Sequence, residues 1–202
     1  MSLQYIFYPF VSNLNLIIDA YNAEVADLPR LHQEEGGGKA RNASGVIFEN
    51  FIKRICADNG LEAKKNDYKR TEEIDGFSLK NLQVDKHIYL NGVMKKAVES
   101  KCYLDACYLK RAVLDFIELD SSPDVPDDVE YAILAGQECV SQDSFNYYCA
   151  YFKKMTGKDV NVFVVNQFKK RNATRAIYME EYNSDFQLDI QEVNNFLEWL
   201  VK

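Results

Sequence analysis

Three ionisable residues are spaced to suggest a site in "VDKHIYLNGVMKKAVESKCY", Val84 to Tyr103. Asp85 precedes an Asn-Gly pair, and Glu99 and Lys101 follow it. Two carboxylates brought close enough can hold one metal ion through hard oxygen ligands. The stretch reads as two β-strands joined by a tight turn at Asn91-Gly92. Side chains alternate faces along a strand, so Glu99 and Lys101 point one way while Val98, Ser100 and Cys102 point the other. The second set is small and apolar enough to pack on a helix. Glu99 and Lys101 are left on a face where charge must be either solvated or used.

The turn decides where Asp85 points. A two-residue type I′ turn sets Leu90 opposite Val93 and Asp85 opposite Val98, on the wrong face. A three-residue loop with Gly92 in a left-handed bulge sets Asp85 opposite Ala97 instead, diagonal to Glu99 and about 7–8 Å from it. A shared site therefore requires that one-residue offset, or a bulge elsewhere in the hairpin.

The flanking elements must carry the hairpin. "EEGGGKARNASG" reads as a loop ahead of a helix capped by Ser44. That helix, "VIFENFIKRICADNG", places Val46, Ile47, Phe51, Ile55 and Cys56 near one face and stops at Asn59-Gly60. After the hairpin, "LDACYLKRAVLDFIEL" has helical spacing and ends before Pro123 and Pro126. "EYAILAG" is a short strand with Gly136 as its stop. "DSFNYYCAYFKKMTG" is an amphipathic helix ending at Gly157, and "VNVFVVN" has the β-branched run of a strand buried on both faces. "DIQEVNNFLEWLVK" is a helix capped by Asp189. The order implies an α/β fold: a mixed central sheet, antiparallel hairpin plus parallel strands, flanked by helices.

The 202 residues suit a single domain, and 47% apolar content excludes a largely disordered chain. Five cysteines without a CxxC pair argue against a disulfide framework and a zinc site and suggest a reducing cytoplasm. "LQYIFYPFVSNLNLIIDAY" is broken by Pro9 and Asn13 and lacks a basic start, so it reads as core structure rather than a signal peptide or membrane span. The net charge of −7 weighs against nucleic acid as an average, but bases crowd Lys39/Arg41, Lys64/Lys65/Lys69/Arg70, Lys95/Lys96 and Lys153 to Arg175. His87 and His32 have no neighbouring histidine that would suggest a metal pair, and both read as structural.

An acid on one strand and Glu-x-Lys on the next, preceded by a helix bearing Glu49 and followed by another helix, resembles the PD-(D/E)XK nuclease superfamily. Within it, the length and element order look most like a type II restriction endonuclease. The resemblance covers a core of about residues 44–165, with residues 1–43 as an N-terminal extension and 166–202 as a C-terminal segment. Val84 stands where the family often has a proline, so Asp75 is the other candidate for the metal-binding acid. The Gln and Tyr of the exonuclease branch are absent. Glu-x-Lys arises by chance on the order of once in a chain of this length. A second one, Glu62-Ala63-Lys64, lies in a polar stretch without a hairpin partner and reads as a decoy.

The resemblance implies a Mg²⁺-dependent endonuclease acting on double-stranded DNA, leaving 5′-phosphate and 3′-hydroxyl ends, in a prokaryotic cytoplasm. Asp85, Glu99 and the Ser100 carbonyl would be metal ligands, and Lys101 would orient or help deprotonate the attacking water. Glu49 would hold a further water or a second metal, or else be a surface acid. Lys39, Arg41, Asn42 and Ser44 at the Gly-rich loop suit phosphate contact. Asn166, Gln167, Lys169, Lys170, Arg171 and Arg175 carry residue types that read base edges and phosphates. Recognition of a palindrome by so small a chain would demand a homodimer. A repair or junction-resolving nuclease, and a non-catalytic α/β binding protein, are the competing readings.

Overall fold

The computed structural model describes residues 13–65, 73–74, 77–78, 84–166 and 188–202. Helices α1 (Leu14–Ala26), α2 (Leu28–Glu35) and α3 (Gly37–Asp58) precede strand β1 (Glu62–Lys64) and a small antiparallel pair, β2 (Glu73–Ile74) and β3 (Phe77–Ser78). The hairpin follows as β4 (Lys86–Leu90) and β5 (Val93–Leu104), then α4 (Ala106–Asp120), β6 (Glu130–Glu138), α5 (Gln142–Thr156), β7 (Val160–Val164) and α6 (Ile190–Val201). The main sheet runs β1-β4-β5-β6-β7, antiparallel as far as β5 and parallel beyond it. This is the mixed sheet with flanking helices expected of the element order. Among the described residues no helix is long and apolar enough to cross a membrane.

Period-2 alternation divides the sheet between two cores. Ile88, Val98, Ala132 and Leu134 face α1, α3 and α6, where Tyr21 packs on Phe51 at 5.3 Å between ring centroids and Phe196 and Leu200 complete the layer. Ala97, Tyr131, Ile133 and Ala135 face α4 and α5, where Tyr131 lies 5.2 Å from both Phe116 and Phe152. The helices on this side start on side-chain caps. Asp105 accepts from the Tyr108 amide, and Ser141 accepts from the Ser144 amide. Gly157, at φ 76°, stops α5 in the left-handed conformation that glycine adopts without strain.

Several local expectations are corrected. The Gly-rich run is helix, not loop: the break falls at Gly36, and α3 starts at Gly37, so Ser44 sits inside the helix and caps nothing. The buried face of α3 is Phe48, Phe51, Ile52 and Ile55, while Val46 is exposed. Glu62-Ala63-Lys64 does have a strand partner, since β1 pairs with β4, but Glu62 is exposed and its carboxylate pairs with Lys64 of the same strand at 3.4 Å. β7 is the outer strand of the described sheet, half-buried rather than covered on both faces.

Gly136 does not end its strand, which continues to Glu138. Its role is close approach: a Cβ there would lie 2.6 Å from the Cys102 carbonyl oxygen of β5. That atom is backbone and can move only with its strand. Gly136→Ala is expected to destabilise the fold by about 1–3 kcal/mol, read as a lower midpoint in thermal or urea unfolding.

Candidate active site

The hairpin turn is the two-residue form, with Asn91 at φ 52°, Gly92 at φ 78° and Leu90 opposite Val93. By itself that register would turn Asp85 away from Glu99. The ladder then shifts between Ile88 and Tyr89: Tyr89 pairs with Met94, but Ile88 pairs with Lys96, leaving Lys95 as the extra residue. Lys86 faces Val98, and continuing this register places Asp85 opposite Glu99. The bulge suits its sequence. Met94 and Ala97, three residues apart, both enter the α4-side core. Lys95 reaches Asp128 at 2.6 Å, while Lys96 turns to the other face, pairing with Glu130 at 3.1 Å and lying 4.6 Å over the Trp199 ring.

Three of the sequence-predicted site residues are thereby brought into contact. The Asp85 amide donates to Glu99 Oε2 at 3.0 Å, and Asp85 Oδ2 accepts from the Ser100 amide and the Ser100 hydroxyl, both at 3.0 Å. Lys101 Nζ donates to Glu99 Oε1 at 2.5 Å and to Asp85 Oδ2 at 3.4 Å. The ammonium thus lies between two carboxylates. Glu99 is 3% exposed as a side chain, whereas Asp85 and Lys101 open to solvent at 19% and 20%.

Burial pushes the Glu99 carboxyl up to about 7; the Asp85 charge adds to the rise and Lys101 opposes it. Burial works against the Lys101 charge as well, but Glu99 and Asp85 outweigh it and hold the ammonium above its ordinary value. Near neutral pH Glu99 is therefore poised between its protonated and ionised forms, beside an ammonium that stays protonated.

The other predicted residues are placed elsewhere. Glu49 lies on α3 and pairs with Lys86 at 2.8 Å and Lys65 at 3.0 Å. Burial raises its carboxyl, yet the hydrogen bonds from the two lysines prevail and lower it. Lys86 shares a face with Val98, opposite to that of Glu99, so Glu49 serves the far side of the sheet. Lys39 is exposed and pairs with Glu35 at 3.4 Å, and Asn42 is exposed on α3. Ser44 is buried and hydrogen-bonds Cys102. Asn166, expected to contact DNA, is fully buried, and its backbone N–H continues the ladder to the Gly136 carbonyl at 3.0 Å. Gln167, Lys169, Lys170, Arg171, Arg175, Asp75 and the side chain of Arg41 lie outside the described residues. His87 is buried beside the hairpin ladder.

Two features escaped the sequence reading. One is Tyr108 on the first turn of α4, exposed, with its ring centroid 6.0 Å from Lys101 Nζ; its place just after the Asp105 cap is the signal that would have found it. The other is Lys86, which directly follows Asp85 and is fully buried at the start of β4.

No known protein family and no curated protein matches the sequence. Among solved structures the chain is similar to NucC of P. aeruginosa in its cAAA-bound form, at 9% identity over 92% of this chain and 98% of that one, with a TM-score of 0.45.

The raised Glu99 carboxyl has a consequence for stability. Its folded value near 7 lies above its ordinary 4.5, so its ionisation favours the unfolded chain, and stability falls as pH rises from about 4.5 to about 7 and levels off above. In metal-free buffer at pH 8, Glu99→Gln is expected to be more stable than the wild type by about 1–3 kcal/mol. Thermal melts across pH should show that advantage shrinking towards pH 5.

Proposed function

We propose that this protein is a Mg²⁺-dependent, sequence-specific endonuclease that hydrolyses double-stranded DNA to 5′-phosphate ends, a type II site-specific deoxyribonuclease acting as a homodimer. One observation carries the reading: the Lys95 bulge gathers Asp85, Glu99 and Lys101 into a single hydrogen-bonded group that is partly open to solvent. These residues match those that carry the resemblance to the PD-(D/E)XK nucleases.

The donor set fits Mg²⁺. By the resemblance, the set would be the Asp85 and Glu99 carboxylates with the Ser100 backbone carbonyl; among the described residues no three His, Cys, Asp or Glu side chains cluster as metal ligands. All are hard oxygens, as Mg²⁺ prefers, and a raised carboxyl at Glu99 is what a cation relieves. When bound, the ion supplies neutralisation of the phosphate and a water of lowered pKa.

The chain's own groups do the rest. The Ser100 amide and hydroxyl fix the Asp85 carboxylate, and the Asp85 amide fixes that of Glu99, so neither must be ordered when substrate arrives. Lys101, already protonated between them, is placed to donate to a phosphate oxygen or to position a water against it. The basic residues 169–175 are the proposed DNA contacts, and a twofold dimer would present two such sites to a palindrome.

Supercoiled plasmid and linear duplex incubated with and without Mg²⁺ test the proposal. Discrete fragments that need Mg²⁺ and disappear with EDTA are expected, with Asp85→Ala, Glu99→Ala and Lys101→Ala each lowering the rate at least about 100-fold. A preference for branched DNA would move the protein to the junction-resolving class. Absence of Mg²⁺-dependent cleavage on all of these substrates would remove the nuclease reading.

A further inference from the structure

Lys86 is the residue after Asp85 and the first of β4, and none of its surface is exposed. A buried ammonium is tolerated only beside a carboxylate that offsets its lost hydration. Among the described residues Glu49 of α3 provides it, with Oε2 at 2.8 Å from Lys86 Nζ. Glu49 is in turn held by Lys65 at 3.0 and 3.1 Å. One strong electrostatic tie therefore joins the centre of α3 to the start of β4.

Asp85 sits between two anchors of opposite character. Val84 before it is fully buried in the apolar core on the α4 side, and Lys86 after it is tied to α3 through the other face of the sheet. Pinning both neighbours leaves the Asp85 backbone little freedom. The Asp85 carboxylate must nonetheless lie within 3.0 Å of the Ser100 amide and hydroxyl for the cluster to form.

We propose that Glu49 and Lys86 form a positioning device: Glu49 acts on the site only by holding Lys86, which sets the Asp85 backbone. Glu49 is then neither a metal ligand nor a substrate contact. The inference rests on the nuclease reading for its meaning, but the geometry it asserts can be measured without cleavage.

Three variants separate the possibilities: Glu49→Gln, Lys86→Met, and the two combined. Glu49→Gln leaves the ammonium of Lys86 without its carboxylate, whereas Lys86→Met keeps the long stem and removes the charge, so the double variant buries no unpaired charge and leaves only the half-exposed Lys65 to solvent. Hydrogen exchange at the Ser100 amide, which donates to Asp85, reports the position of the aspartate directly. The expected pattern is lower melting temperature, at least tenfold faster Ser100 exchange and at least tenfold slower DNA cleavage for Glu49→Gln. The double variant should return to within threefold of Lys86→Met in both rates.

Three results would overturn the positioning role. One is a double variant with restored melting temperature and Ser100 protection but cleavage as slow as Glu49→Gln, which would make Glu49 a catalytic participant. Another is Glu49→Gln with unchanged melting and exchange. A third is Lys86→Met that keeps Ser100 protection yet loses cleavage, which would make the ammonium itself functional. Should the wild type cleave no DNA, the nuclease reading fails, while the exchange pattern still decides whether the tie positions Asp85.

Discussion

A single extra residue in one strand governs the arrangement of charge in this protein. Strand pairing has a period of two, so an offset of one residue exchanges the faces of everything beyond it. Between Met94 and Lys96 the hairpin takes that step at Lys95, and its effect is felt four residues on, where Asp85 meets Glu99. The bulge is held from both sides: Lys95 by Asp128, and Lys96 by Glu130 and the Trp199 ring. A device at one end of the hairpin thus fixes the charged cluster at the other, and the apolar cores on either face penalise any slip back.

The candidate site is also a place where stability is given up. Two carboxylates and an ammonium are gathered beside an apolar sheet, and Glu99, at 3% exposure, bears most of the strain. An apolar residue there would pack better and do nothing. The same tension appears on the far face, where Lys86 is enclosed among α3 side chains and needs Glu49 to be stable there. Two costly burials within fourteen positions of β4 and β5 are hard to explain by packing alone, because buried ion pairs add little over apolar residues of like size.

Much of this was legible in the residues. Apolar periodicity located the helices after the hairpin, the Asn-Gly pair gave the turn, and alternation put Glu99 and Lys101 on one face. The bulge was not assigned to Lys95, because a turn signal fixes where a hairpin reverses and leaves open where its ladder slips. Met94 and Ala97, both apolar at odd spacing, held that information but needed a known core to interpret them. The glycine run at the start of α3 failed for another reason: three glycines argue for loop by propensity, and packing of α3 against α1 and α2 overrides them. Gly136 and Asn166 were misread because each answers to a neighbouring strand, a close approach to Cys102 in one case and a ladder bond in the other.

The two faces of the sheet draw their cover from different parts of the chain. The face bearing Glu99 and Lys101 is closed by α4 and α5, both contained with their strands in the contiguous stretch 84–166. The opposite face needs α1 and α3 from before the hairpin and α6 from after the last strand. For a chain emerging from the ribosome in order, the charged half can therefore acquire its shelter while the other layer still lacks α6. The tie between Glu49 and Lys86 lies in that second layer, between α3 and the start of β4, so both of its partners precede α6 in the chain.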